Sequence, residues 1–137
     1  MNLLIIDDDS ICSFINTRVA QTSGAFEQIT SLHNGKDALD FLNDVCAGTT
    51  PAPDVILLDL NMPLINGFDF IKGFHELPIP DKENIEIVIL TSSEQADDME
   101  HARNLGVNHY LLKPLTVNDL QSTIFSLDKK IRGRRAL

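Results

Sequence analysis

Val55-Ile56-Leu57-Leu58-Asp59-Leu60-Asn61-Met62-Pro63 is a run of four branched aliphatic residues that ends in an acid and then a turn. A short, continuously apolar run of this kind reads as a strand buried on both faces of a parallel sheet. Open α/β sheets hold their chemistry at the C-terminal edge of the strands. Asp59 would therefore stand at the mouth of the sheet, a candidate nucleophile. Pro63 and Gly67 then turn the chain sharply towards a helix.

Three other apolar runs deliver polar groups in the same way. Leu3-Leu4-Ile5-Ile6 runs into Asp7-Asp8-Asp9, Ile87-Val88-Ile89-Leu90 into Thr91-Ser92-Ser93, and Tyr110-Leu111-Leu112 into Lys113-Pro114. A weaker strand is expected over residues 26–32, where Gln28 and Ser31 are poor strand formers. Between the strands lie helical periods. Ser10 can cap a first helix with Ile11, Phe14, Ile15 and Val19 as its apolar positions. Asn34-Gly35 opens a second, with Ala38, Leu39, Leu42 and Val45 on one face. The third starts near Asn66 and uses Phe68, Ile71 and Phe74, with Phe70 widening the face. The fourth, over residues 95–105, has only Ala96, Met99, Ala102 and Leu105 as a thin apolar edge, so it should be the most loosely held. Thr116 and Asp119 form a start like a capping box, and Leu120, Ile124, Leu127 and Ile131 give the last helix a clean stripe. Strands alternating with helices imply a parallel sheet covered on both faces.

At 137 residues the chain is one domain with enough material for a core, and its apolar fraction of 43% and charged fraction of 23% are ordinary for a globular protein. No stretch approaches the length of a membrane span, and the N-terminus does not read as a signal peptide, so no membrane association and a cytoplasmic location are expected. Cys12 and Cys46 are far apart, and the four histidines are scattered, which disfavours a disulfide or a zinc site. All 20 acids fall in residues 1–128 with six of the eleven basic residues, while the other five basic residues crowd into 129–135. An acidic body disfavours direct nucleic-acid binding, and the basic end is too short for a nucleic-acid arm.

Three carboxylates, Asp7, Asp8 and Asp59, meeting at one edge repel one another unless a cation sits among them. A hard divalent ion with oxygen ligands, Mg²⁺ foremost, answers that need. Taken singly, Asp7-Asp8-Asp9 also reads as a solvated turn opening the first helix, and Lys113 as a surface lysine. An aspartate can attack phosphorus to give an acyl phosphate, with the protein supplying position and charge neutralisation.

In combination, the acidic cluster, Asp-x-Asn-Met-Pro-x-x-x-Gly at 59–67, Thr-Ser at 91–92 and Lys-Pro at 113–114 strongly resemble the receiver domain of two-component response regulators, of the stand-alone, chemotaxis-regulator-like kind. The resemblance implies a flavodoxin-like, doubly wound five-stranded parallel sheet in the order 2-1-3-4-5 with five helices. It implies a receiver domain over residues 1–131, with 132–137 a short basic tail. It also implies a phospho-acceptor switch: Asp59 takes a phosphoryl group from a sensor histidine kinase or phosphotransfer protein, and the domain then changes its protein contacts. Asp8 and Asp59 would be direct Mg²⁺ ligands, Asp7 a ligand through water and Asn61 a ligand through its carbonyl, while Lys113 and Thr91 would meet phosphoryl oxygens. Pro114 could follow a cis bond. The Asn61 side chain and Ser93 would flank the phosphoryl group, with a turn residue and a helix cap as their plainer roles.

Tyr110 would swing inward as Thr91 moves, and with Phe125 would mark an output face of fourth helix, fifth strand and fifth helix for an effector or a second copy. Such a chain is no enzyme beyond its own aspartyl phosphorylation and dephosphorylation. A phosphatase of the haloacid-dehalogenase type would need an acid where Asn61 stands. An unphosphorylated scaffold would not need the full set of acidic, hydroxyl and lysine residues.

Overall fold

The computed structural model describes residues 1–92 and 96–135, with side chains through residue 129. In chain order the elements are β1 (Asn2–Ile6), α1 (Ser10–Ser23), β2 (Gln28–Leu32), α2 (Gly35–Cys46), β3 (Val55–Leu58), α3 (Gly67–Glu76), β4 (Glu86–Thr91), α4 (Ala96–Asn104), β5 (His109–Leu112) and α5 (Val117–Arg135), with a single 3₁₀ turn at Lys82–Asn84. The strands form one sheet in the order β2-β1-β3-β4-β5, every neighbour pair parallel. The three central strands carry the apolar runs, and every residue of β3 and β4 is buried. That is the pattern of strands covered on both faces.

Alternation along the strands feeds two cores. Leu4, Ile6, Ile56, Leu58, Ile87 and Ile89 face Ala38, Leu42 and Val45 of α2, Phe70, Ile71 and Phe74 of α3, and Ala102 of α4. The intervening Leu3, Ile5, Val55, Leu57, Val88 and Leu90 face Ala20 of α1 and Leu120, Ile124 and Leu127 of α5. Each side chain wholly withdrawn from water contributes about 1.5–3 kcal/mol.

Local chemistry sets most of the helix starts. Asn34 accepts the Asp37 N–H at 2.7 Å to open α2, and Asn66 with Asp69 forms a reciprocal capping box at α3. Thr116 Oγ1 accepts the Asp119 N–H at 3.1 Å ahead of α5. At α1 the cap is Asp9 and not Ser10: its carboxylate accepts the N–H groups of Ile11 at 2.9 Å and Cys12 at 3.2 Å, and Ser10 is the first helical residue. The carboxylate, one residue earlier, meets the free N–H groups with the longer reach.

The apolar period of α1 fails as a guide to its buried face. Ser13, Asn16 and Ala20 are buried, whereas Ile11, Phe14 and Ile15 are 70%, 66% and 44% exposed. Only Val19 of the expected stripe joins a core, as a partly buried neighbour. Small residues on the inner face let α1 lie close against β1 and α5, and Ser13 satisfies its hydroxyl on the Asp7 carbonyl at 3.2 Å. α4 is thin, as its sequence suggests: Ala102 is its buried residue and Met99 is exposed. α5 continues to Arg135, past the boundary expected at 131.

Candidate functional site

Register brings the strand ends level. Ile6 pairs with Leu58, and Leu58 with Ile89, so Asp7 and Asp59 leave adjacent strands side by side. Thr91 pairs with Leu112, which sets Lys113 one residue beyond, its N–H bound to the Thr91 carbonyl at 2.8 Å. The Asp59 N–H is held by the Ile6 carbonyl at 2.9 Å and the Asp7 N–H by the Leu32 carbonyl at 3.1 Å. The carboxylates are thus fixed by sheet backbone and not by mobile loop.

Around this frame the side chains converge. Asp7, Asp59 and Thr91 are buried, at 1%, 6% and 0% exposure, and Asp8 is exposed at the rim. Lys113 Nζ donates to Asp7 Oδ2 at 3.0 Å and lies 3.6 Å from Asp59 Oδ1. The Asn61 N–H donates to Asp59 Oδ1 at 3.2 Å, and the Asp9 N–H to Asp7 Oδ1 at 2.9 Å. Asp7, Asp8 and Asp59 each offer a carboxylate oxygen, all within 4.8 Å of one another. Three hard oxygen donors in that space fit a divalent cation such as Mg²⁺.

Electrostatics follow from the crowding. Burial, then the charge of Asp7, pushes the Asp59 carboxyl from 3.8 up to about 6, against the pull of Lys113 and the Asn61 N–H. Burial also works against the Lys113 ammonium, but its hydrogen bond to Asp7 and the charges of Asp59 and Asp7 outweigh it and raise its pKa. One lysine among three acids leaves the cluster short of positive charge.

The loop after Asp59 is shaped by close approach. A Cβ on Gly67 would lie 2.8 Å from Leu60 Cα and 2.9 Å from the Asp59 carbonyl oxygen, so only glycine lets α3 begin against the acid-bearing strand. Leu64, fully exposed, adopts φ 67°, the left-handed region, with the Ile65 N–H folded back onto the Pro63 carbonyl at 2.8 Å. The Lys113–Pro114 peptide is cis, as the resemblance implies.

Of the two residues expected on the output face, Tyr110 is half-buried against the α2–α3–α4 core, on the sheet face that it shares with Thr91. Burial and the charge of Asp98 raise its phenol pKa. Phe125 is 75% exposed but is not beside Tyr110. It lines a groove of about 390 Å³ with Met1, Ala25, Gln121, Ile124 and Asp128, and Gln121 reaches Ser23 at the end of α1. The groove lies on the α1 side of α5, because position 125 shares its helical face with Gln121 and not with the residues turned to β5. The structure therefore separates Phe125 from Tyr110. Ser93 lies outside the described residues.

Two features went unforeseen. One is the exposed apolar ridge of Ile11, Phe14 and Ile15 beside the acidic cluster, where Arg18 lies 6.0 Å from the Phe14 ring centroid. The other is a niche of about 220 Å³ lined by Cys12, Ile15, Asn16, Lys113, Pro114 and Leu115. The polar residues at 13 and 16 among apolar neighbours were the signal for an inward polar face.

A family model described as the response regulator receiver domain matches residues 3–125. A probable methanogenesis regulatory protein, FilR2 of Methanothrix harundinacea, is 33% identical over 125 residues, covering 89% of this chain and 77% of that protein. A two-component response regulator from Cytophaga hutchinsonii superposes with a TM-score of 0.83 at 34% identity, covering 96% of both chains. The Mn(2+)-bound form of response regulator Rcp1 gives 0.72 at 30% identity, over 93% of this chain and 91% of that one. With the sheet order, the acidic edge and these likenesses in agreement, the chain belongs to the response regulator receiver domain family, the phospho-acceptor switches of two-component signalling.

Proposed function

We propose that Asp59 is the phospho-acceptor, fed by a sensor histidine kinase or a histidine phosphotransfer protein. The observation that carries this reading is the meeting of Asp7, Asp8 and Asp59 within 4.8 Å, with Lys113 contacting both Asp7 and Asp59. An Asp59 oxygen attacks phosphorus, the bond from phosphorus to the donor nitrogen breaks, and an acyl phosphate forms. Asp7, Asp8, Asp59 and the Asn61 carbonyl would hold Mg²⁺, which when bound neutralises charge on the transferring phosphoryl group. Lys113 is placed to meet a second phosphoryl oxygen, and the Thr91 hydroxyl a third. The Asn61 side chain, exposed at the rim, governs approach of the hydrolytic water.

On this reading the chain turns over no other substrate and acts in the cytoplasm through protein contacts, without touching nucleic acid. The switch unit is residues 1–131, and the basic residues that follow it continue the last turn of α5 to Arg135. Output runs through Tyr110 and the α4–β5–α5 face, with a downstream effector or a second copy as its receiver. Phe125 serves a different surface, the groove by Met1.

Acetyl phosphate with Mg²⁺ should add one phosphoryl group per chain, at Asp59. Intact-mass spectrometry of wild type and Asp59→Asn, each with Mg²⁺ and with EDTA, checks it. Labelling of Asp59→Asn at the wild-type level would move the acceptor elsewhere.

A further inference from the structure

At the N-terminal edge of the sheet, opposite Asp59, a cleft of about 480 Å³ opens between the end of α3, the 3₁₀ turn, the start of β4 and the turn that joins α4 to β5. That is the size of a small-molecule site. Its floor is apolar, made by the buried Phe74, Ile85, Ile87 and Val107 of the core under α2, α3 and α4. Lys82 supplies a cation at the rim. Its Nζ donates to the His75 carbonyl at 2.8 Å and lies 5.6 Å from the centroid of the Phe74 ring. Both partners are neutral, and among the described residues Lys82 makes no ion pair.

The wall selects the chemistry of a ligand. A half-buried ammonium with no carboxylate against it gains a charge-assisted hydrogen bond from an anion. Of the two acids in the wall, Glu83 is exposed to water, which screens it. Glu86 lies between Ile85 and Ile87, which face the floor, so strand alternation turns its side chain to the other side of the sheet. An apolar ring laid on Ile85, Ile87 and Val107 brings a short acidic arm to Lys82. The same wall holds the end of α4: His75 Nε2 donates to the Leu105 carbonyl at 2.7 Å, and Gly106 and Val107 follow directly. Ala102 is the buried residue of that helix, so a ligand touching both α3 and this turn adds to a small number of attachments.

We propose that this cleft is an effector site for a small aromatic carboxylate, with Lys82 pairing the carboxylate, and that its occupation braces the end of α4 against α3. The site uses none of the residues around Asp59 and stands apart from the phospho-acceptor reading.

Phenylacetate is the probe, with phenethyl alcohol and phenethylamine as its neutral and cationic analogues. On the wild-type chain the methyl resonances of Ile85, Ile87 and Val107 should shift saturably with phenylacetate, at an affinity about fivefold or more above those of the alcohol and the amine. In Lys82→Met, which keeps the stem and removes the charge, phenylacetate should bind no tighter than the alcohol, and Lys82→Arg should restore the wild-type order. At saturation the amide protons of α4 should exchange more slowly with water. Absence of saturable shifts, no preference for the carboxylate on wild type, or a preference that survives in Lys82→Met overturns the site. Unslowed exchange in α4 at saturation overturns the bracing role. Methyl shifts that follow the chain's own concentration without any probe give the cleft to a second copy and overturn the proposal as well.

Discussion

Asp59 is ionised at neutral pH against the resistance of its surroundings. Its carboxyl is lifted to about 6 by burial and by Asp7, so in the metal-free protein the folded state holds that proton more tightly than the unfolded chain does. Stability tied to this group is fully present below the unfolded value near 4 and is lost as pH rises through about 6. The loss is up to about 3 kcal/mol for a shift of about two units. Asp59→Asn should therefore melt higher than wild type at pH 7.5 in EDTA, with the gap closing towards pH 4. Thermal melts across that range measure it, and a variant less stable at pH 7.5 would contradict the assignment of strain to this carboxylate. At this scale the sequence was informative wherever a residue closes a buried strand: Asp7, Asp59, Thr91 and Lys113 could be placed because an apolar run leaves only one position at the sheet edge. Asn16 and Leu64 could not. The burial of one and the left-handed backbone of the other depend on neighbours distant in the chain or on a turn with no glycine to announce it.

The elements show where periodicity stops being a guide. In β1, β3 and β4 an apolar run has one reading, α2 and α3 bury the stripes their spacing predicts, and so does α5 at Leu120, Ile124 and Leu127, the Ile131 side chain lying outside those described. α1 carries two competing faces, and its turn is fixed by the Asp9 cap and by the fit of small residues against β1 and α5. Substitutions can tell the faces apart. Phe14→Ser, at a position 66% exposed, should change unfolding stability by less than about 1 kcal/mol, even with its contact to Arg18 lost. Ala20→Leu, at 1% exposure, should cost about 1–3 kcal/mol through overpacking. Urea titration of both variants decides it, and the reverse order would mean that α1 is rotated. The same kind of error displaced Phe125: its angle from the buried stripe of α5 was legible, but not which side of the helix it turned to.

For the whole molecule, the dominant fact is an acidic body with its most crowded carboxylates at one sheet edge. A cation bound there acts on the fold as well as on the chemistry. Mg²⁺ at a hundredfold excess over its Kd should stabilise the wild type by about 2.7 kcal/mol. Asp8→Ala should lose most of that gain and leave the metal-free protein close to wild type, because Asp8 is exposed and Asp9 caps α1. Melts with and without Mg²⁺ compare the two. An equal gain in Asp8→Ala would remove Asp8 from the ligand set. Sheet order is the whole-molecule property that periodicity leaves open. Nothing in the apolar runs states that β1 lies between β2 and β3; that came from the motifs at the strand ends taken together.

The place of Tyr110 beside Thr91 on one face of the sheet sets a limit on how sharply such a switch can act. A hydroxyl has one proton to give, so a Thr91 drawn to a phosphoryl oxygen has none left to offer the phenol. The net worth of one neutral hydrogen bond is about 0.5–1.5 kcal/mol, a change of roughly twofold to tenfold in the balance of Tyr110 positions. That is the gain of a dimmer and not of a latch. A partner that recognises only one ring position must draw the rest of the bias from its own binding energy, and the strength of signalling then follows the partner's abundance together with the phosphorylated fraction.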